Sequence, residues 1–276
     1  MPDDRLGPSP GRVGDELAVA IDTAREAGAL LAEAFVQVNV GRRRGHHDVV
    51  TDIDRASEAM IMSRLATSFP ADLRLGEETG LTVPRRPSAR TWIVDPLDGT
   101  VNYVAGLPFW CVSIALAIGN EIELGVIHDP LRKETIAATS GGGAWHIGTM
   151  MRLEMRRLRR TADAVVSADP GGLDDPAQRR ISELRKHVRA VRALGSTALS
   201  LTCLATGRLD GVLQVRGLQA VDIAAAGLIA REAGARISDA NGGPWVVVSE
   251  PSRGTGIAAG RPGVHRRLLE GGRVAR

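Results

Sequence analysis

Trp92-Ile93-Val94-Asp95-Pro96-Leu97-Asp98-Gly99-Thr100 is the stretch on which the reading of this chain turns. Its first three residues are apolar and read as a buried strand that runs into two acids. Proline has no amide hydrogen to give a strand ladder, so the chain is expected to turn at Pro96 and bring both carboxylates to one side. Gly99 adds conformational freedom and Thr100 can open a helix, which leaves free amides suited to an anion. Paired acids beside such amides suit a metal-assisted phosphate reaction, because magnesium takes hard oxygen ligands and bridges carboxylates to phosphate. Asp-Pro and Asp-Gly are also common turn formers, so this stretch alone leaves a plain surface turn open.

Upstream, Leu17, Ile21, Ala24, Gly28, Leu31 and Phe35 recur at helical spacing over residues 15–37. Thr51-Asp52-Ile53-Asp54 has the form of a capping box, followed by a helical stripe of Ile53, Ala56, Met60, Ile61 and Leu65. A short strand at 73–75 leads into Gly76-Glu77-Glu78. Downstream, apolar strands at 111–118 and 121–127 flank Gly119-Asn120, a two-residue hairpin signal, and another strand covers 134–139. The later part alternates: strand 188–194, helix 196–205, strand 211–215, helix 221–233, strands 236–238 and 256–259, and a last helix from Pro262. Residues 146–162 carry no readable element. The pattern predicts a polar leader (1–13) without fixed structure, an α+β half (14–145) with an antiparallel sheet, and an α/β half (146–276), joined in one compact unit.

Composition narrows the function classes. With 43% hydrophobic and 24% charged residues the chain reads as an ordinary soluble globular protein. Aromatics make up only 3%, which argues against an aromatic platform for nucleic acid. The net charge is +3, nearly all the positive charge being Arg; it suits an anionic substrate and equally a bias toward Arg. The densest basic run, residues 152–160, reads as a solvated face. Cys111 and Cys203 lie in apolar stretches as buried free thiols, with no spacing for structural zinc. No run has the length of a membrane span and the polar N-terminus has no apolar signal core, so a cytoplasmic location is expected.

Four further acids stand out. Glu77 and Glu78 end a strand, Asp222 opens an apolar helix in QAVDIAAAG, and Asp48 lies in HHDVVTDID. Each alone is also explained as a solvent-facing or helix-terminal charge. Together, DVVTDID, GEE, WIVDPLDGT and VDIAAAG, in this order, resemble the inositol monophosphatase family, and GSTALSLTCLATGRLDG (195–211) is similar to the family's stretch before its last motif. The resemblance covers residues 15 to about 270.

It implies the layered inositol monophosphatase/sugar phosphatase fold, an α/β sandwich of alternating helix and sheet layers. It also implies an Mg2+-dependent phosphomonoesterase with two or three ions per site, often a homodimer and often inhibited by lithium. Carried over by position, Glu77, Asp95, the Leu97 carbonyl, Asp98 and Asp222 are metal ligands. Gly99 and Thr100 hold the phosphate by their amides, with Asp98 and Asp222 beside the substrate. The Thr100 hydroxyl, linked to Asp48, and Glu77 serve the attacking water. Physical chemistry agrees, since carboxylates about 4 Å apart repel by on the order of 4 kcal/mol per pair at an effective dielectric of 20, and cations remove that conflict.

The sequence departs from the family pattern at Val221, where a Trp is usual, and at Tyr103, where Phe is usual. The acid that grips sugar hydroxyls is absent from VLQVRGLQA, which offers Gln214, Arg216 and Gln219. The implied substrate is a small phosphorylated polyol, foremost inositol-1-phosphate. Fructose 1,6-bisphosphate, histidinol phosphate and an adenosine bisphosphate are the alternatives within this chemistry. An RNA- or transcription-associated binding protein on the same fold is the alternative of another class.

Overall fold

The computed structural model describes residues 13–40, 46–86, 88–155, 157–172, 175–251 and 253–270, with side chains described outside 36–51 and 175. The expected leader and most of its boundary with the first helix lie outside these residues. Two helices open the described chain, α1 (Gly14–Val40) and α2 (His46–Ser68). An eight-stranded sheet follows: β1 (Leu73–Gly76), β2 (Gly80–Thr82), β3 (Arg90–Asp98), β4 (Cys111–Ile118), β5 (Glu121–Asp129), β6 (Glu134–Thr139), β7 (Gly143–His146) and β8 (Met151–Arg152). Its strand order is β2-β1-β3-β4-β5-β6-β7-β8, antiparallel except for the β1–β3 pair. The short helix α3 (Thr100–Ala105) leaves the end of β3.

A second sheet is built from β9 (Val165–Asp169), β10 (Ala190–Arg192), β11 (Gly211–Leu218), β12 (Arg236–Ser238) and β13 (Thr255–Gly260), in the order β10-β9-β11-β13-β12. Helices α4 (Asp175–Arg185), α5 (Thr197–Ala205), α6 (Ala220–Glu232) and α7 (Pro262–Glu270) accompany it. No described helix is long and apolar enough to cross a membrane.

Strand alternation sorts the apolar side chains into three cores divided by the two sheets. Trp92, Val94, Ile114, Leu116 and Val126 face α1 and α2. Ile93, Ala115 and Ile127 face the other way, onto α5 and α6, where Val212 and Ile257 of the second sheet meet them. Leu213 and Ala258, one residue along, turn outward to α4 and α7. The layers therefore alternate α-β-α-β-α, as expected. Both faces of both sheets are covered, which is why the strands read as continuous apolar runs.

Helix α6 lies against the large sheet because both surfaces are small. A Cβ on Gly125 would stand 2.6 Å from the Ala225 carbonyl oxygen and 2.8 Å from its Cα. Ala225 meets it from the helix side, while Gly227 of the same helix leaves room for the Trp245 ring.

Four sequence expectations are corrected. Pro96 does not end its strand: β3 runs to Asp98, and three steps from Asp95 to Asp98 face two from Ser113 to Cys111, a bulge in place of the predicted turn. Helix α2 begins at His46, so Thr51 and Asp54 lie inside it and not at a cap. Its inward face is Asp54, Ser57, Glu58, Ile61 and Leu65, while Ala56 is exposed. The strand expected at 188–194 shrinks to β10, and β7, β8, β9 and α4 carried no signal that was read.

Gly125→Ala is expected to lower stability by about 1–3 kcal/mol, because backbone atoms and not a flexible side-chain end block the new methyl. Urea denaturation of the two proteins checks this.

Candidate metal centre and active site

Asp95 and Asp98 flank the bulge of β3, and Asp222 occupies the first turn of α6. Asp95 shares the parity of Ile93, so it faces the α5–α6 layer. One carboxylate oxygen from each of Asp95, Asp98 and Asp222 lies within 4.8 Å of the other two. Asp95 and Asp98 are 1% and 8% exposed, which leaves little water to offset their charges.

Backbone geometry holds these acids together. Asp95 Oδ1 accepts from the Leu97 amide at 3.0 Å. Asp98 Oδ2 accepts from the Ser196 hydroxyl and, at 3.0 Å, from the Ala198 amide. Ser196 caps α5 and itself accepts from the Leu199 amide at 3.1 Å, so Asp98 sits at the positive end of that helix. Asp222 accepts from the Gln219 amide at 2.5 Å, which closes the start of α6. Glu77 follows β1, and its carboxylate lies close enough to Asp95 for the two to perturb each other's protonation.

Protonation reflects the crowding. Burial first, then the charges of Glu77, Asp98 and Asp222, push Asp95 well above the usual carboxylate range. Burial lifts Asp98 to about 7, with Asp222 adding and the Ser196 hydroxyl and α5 amides opposing. Burial also raises Glu77 and Asp222.

The neighbouring turn completes the site. Gly99 takes the left-handed conformation (φ 98°), where a Cβ would stand 3.0 Å from the Phe109 carbonyl, and it caps α3. The Thr100 hydroxyl donates to the Leu97 carbonyl at 3.0 Å, which puts hydroxyl and carbonyl on one side. All the donors are oxygens: carboxylates and a carbonyl. Such a set fits a hard divalent cation such as Mg2+ and not zinc.

Glu77, Asp95, Asp98 and Asp222 thus converge, and Leu97, Gly99 and Thr100 form the turn beside them. Asp48 belongs to the part of α2 whose side chains lie outside the described residues. Glu78 turns outward, 3.6 Å from Arg55.

Several supporting residues escaped the sequence reading. Glu58, fully buried, accepts from the Glu78 and Thr79 amides at 2.9 Å each and fixes the turn that carries Glu77. Gly76 makes room for it, since a Cβ there would lie 2.5 Å from Glu58 Oε1. Asp54, one turn earlier on α2, is raised to about 8 by burial and then by Glu77, Glu78 and Glu58, and its Oδ1 has no partner. The available signal was the i,i+4 pair of acids on a helix that otherwise presents an apolar face. Asn102 donates to the Phe109 and Leu194 carbonyls at 2.8 and 2.7 Å, linking the α3 turn to the loop before α5.

A cavity of about 240 Å³ opens from Asp98 and Asp222 toward the second sheet. Its far wall includes Thr197, Gln214 and Asp169. Thr197 donates to Gln214 Oε1 at 2.6 Å, and Asp169 stands in register with Gln214 on the adjacent strand. Residues 212–220 offer no acid for this wall; its carboxylate comes from Asp169, which only the pairing of neighbouring strands brings there. Arg216 is exposed and leans over Gly171 and Gly172, outside the cavity lining.

The sequence model of the Inositol monophosphatase family matches residues 15–271. The chain is 37% identical over 239 residues to the Nus factor SuhB of Pasteurella multocida, covering 82% of this chain and 86% of that protein. It is 35% identical over 232 residues to inositol monophosphatase 2 of Solanum lycopersicum, covering 81% and 87%. The solved structure of Mycobacterium tuberculosis SuhB superposes with a TM-score of 0.78 at 30% identity, covering 95% of this chain and 96% of that one.

In the metal-free protein the folded state holds protons on Asp98 that the unfolded chain gives up above its ordinary value of 3.8. Stability is then present at low pH and falls as pH rises through about 7. Melting temperatures in EDTA are expected to drop across that range, and Mg2+ to raise them more at about pH 8 than at about pH 5.

Proposed function

The chain belongs to the inositol monophosphatase family, and on that premise we propose that it hydrolyses a small phosphate monoester with Mg2+, inositol-1-phosphate being the best candidate. The reading rests on one observation: three carboxylates gathered within 4.8 Å beside a left-handed glycine turn. In it, Glu77, Asp95 and the Leu97 carbonyl would hold one cation, and Asp95, Asp98 and Asp222 would hold a second. Bound Mg2+ supplies Lewis acidity, lowering the pKa of water and neutralising charge on the leaving oxygen.

The chain's own groups do the rest. The amides of Gly99 and Thr100 orient the phosphate. The Thr100 hydroxyl, which donates to the Leu97 carbonyl, keeps its lone pairs free to accept a hydrogen bond from the attacking water. Asp48 assists it. The Thr197–Gln214 pair and Asp169 receive the hydroxyls of the polyol, and Asp169 supplies a carboxylate that the stretch 212–220 lacks. Fixing phosphate and water in line provides most of the acceleration.

Phosphate release from a panel of inositol, sugar, amino-alcohol and nucleotide monophosphates tests the reading. EDTA is expected to abolish release and Mg2+ to restore it. Asp95→Asn is expected to lower kcat/KM by at least about a hundredfold in a folded protein, and Thr100→Ala to lower turnover more than metal affinity. Full activity of Asp98→Asn at limiting Mg2+ removes the two-ion assignment.

A second reading draws on the relatives named Nus factor SuhB: a role in a transcription assembly, with or without catalysis. Retention on heparin that falls steeply with salt supports it, and catalytic competence of the same preparation decides whether the two roles coexist.

A further inference from the structure

On the face of the large sheet opposite Asp95, a second cavity of about 300 Å³ lies between α1 and the β5–β6 turn. His128 of β5 and Thr135 of β6 share the parity of Val126 and Ala137, so both side chains point toward α1. Arg25 of α1 and Lys133 of the turn bring two positive charges to the rim, and among the described residues no carboxylate lines the cavity. Among the described residues neither cation has an ion-pair partner. Other cations nearby do: Arg132 pairs with Asp129, and Arg208 with Glu134.

The polar groups are held in place before any ligand arrives. Arg25 Nε donates to Thr135 Oγ1 at 3.2 Å, which orients the guanidinium; among the described residues its terminal nitrogens make no hydrogen bond. His128 is 92% buried by its neighbours, at 8% exposure. Its Nδ1 stands 3.1 Å from the Glu134 carbonyl and 3.0 Å from Thr135 Oγ1. A carbonyl only accepts, so Nδ1 carries the proton and Nε2 keeps a lone pair. The ring fits because residue 28 is glycine, where a Cβ would meet His128 Cδ2 at 2.4 Å. Lys133 has a positive φ of 55°, a conformation usually left to Gly or Asn, yet an ammonium stands there.

We propose that this cavity is a second anion site, selective for a hydrogen-phosphate group, either free phosphate or the end of a small phosphate ester. Arg25 and Lys133 neutralise the charge, and His128 Nε2 accepts the P–O–H hydrogen. Sulfate at neutral pH has no such hydrogen and meets a bare lone pair. Burial, with the Arg25 charge adding, holds His128 below its ordinary range, so the neutral ring is the form that meets the ligand. The volume exceeds that of the ion alone, and Ala29, Ala32 and Pro130 give an apolar shelf for an organic remainder.

The test uses the full chain in EDTA, where no hydrolysis occurs, and follows the imidazole resonances by NMR, with the His128 signal assigned from His128→Gln. Inorganic phosphate is expected to shift the His128 signal saturably. Lys133→Gln and Arg25→Gln, both on exposed positions, are expected to weaken binding at least about tenfold, the loss of one charge-assisted hydrogen bond. Sulfate is expected to bind at least about tenfold more weakly than phosphate, for its missing donor. Equal binding of phosphate and methyl phosphate identifies the free ion as ligand, and tighter binding of the ester identifies an ester. No shift of His128, an unchanged affinity in both charge variants, or equal binding of sulfate overturns the proposal. Since the metal ligands take no part, this outcome is independent of the catalytic reading.

Discussion

Asp95, Asp98 and Asp222 are brought within 4.8 Å of one another although like charges in a buried space repel. What opposes the repulsion is backbone: amides of Leu97, Ala198 and Gln219, and the capping hydroxyl of Ser196. Those donors come from one strand bulge and two helix N-termini, so the cluster depends on where α5 and α6 begin. The two helices occupy the layer between the sheets, and their starts meet the end of β3. The layered architecture is in this sense what assembles the acids, and the left-over charge is what calls for a cation.

The closeness of that central layer has a compositional cause. Small residues on α6 and Gly125 on β5 let helix and sheet backbones approach without intervening side chains. Larger residues there would lift α6, and Asp222 with it, away from β3. The second core is accordingly rich in Ala, while the bulky aromatics gather on the other face, where Phe35, Tyr103 and Trp110 stand together. Rigidity of the acid cluster and mass of the hydrophobic core are supplied by different sides of one sheet.

Much of this was legible in the amino-acid sequence. The strand before Asp95, the hairpin at Gly119-Asn120 and the helices expected over 196–205 and 221–233 follow from local periodicity and turn chemistry. The acids themselves were legible through their motifs. Pro96 misled, because a proline that cannot serve a ladder was read as a turn, whereas antiparallel partners absorb it in a bulge. Helix α2 misled for a related reason. Its buried face includes Asp54 and Glu58, and an apolar stripe drawn by hydrophobicity leans away from buried acids. Asp169 was out of reach in principle, since its place beside Gln214 depends on which strands of the second sheet are neighbours.

Asn102 joins the turn after β3 to the loop before α5 through two carbonyls, and an amide carries no net charge. The seam between the two sheets is thereby stitched at the end that carries the acids by a connection that neither protons nor counter-ions weaken. Changes in ionic strength or acidity can alter what occupies the carboxylates while the frame that presents them keeps its spacing.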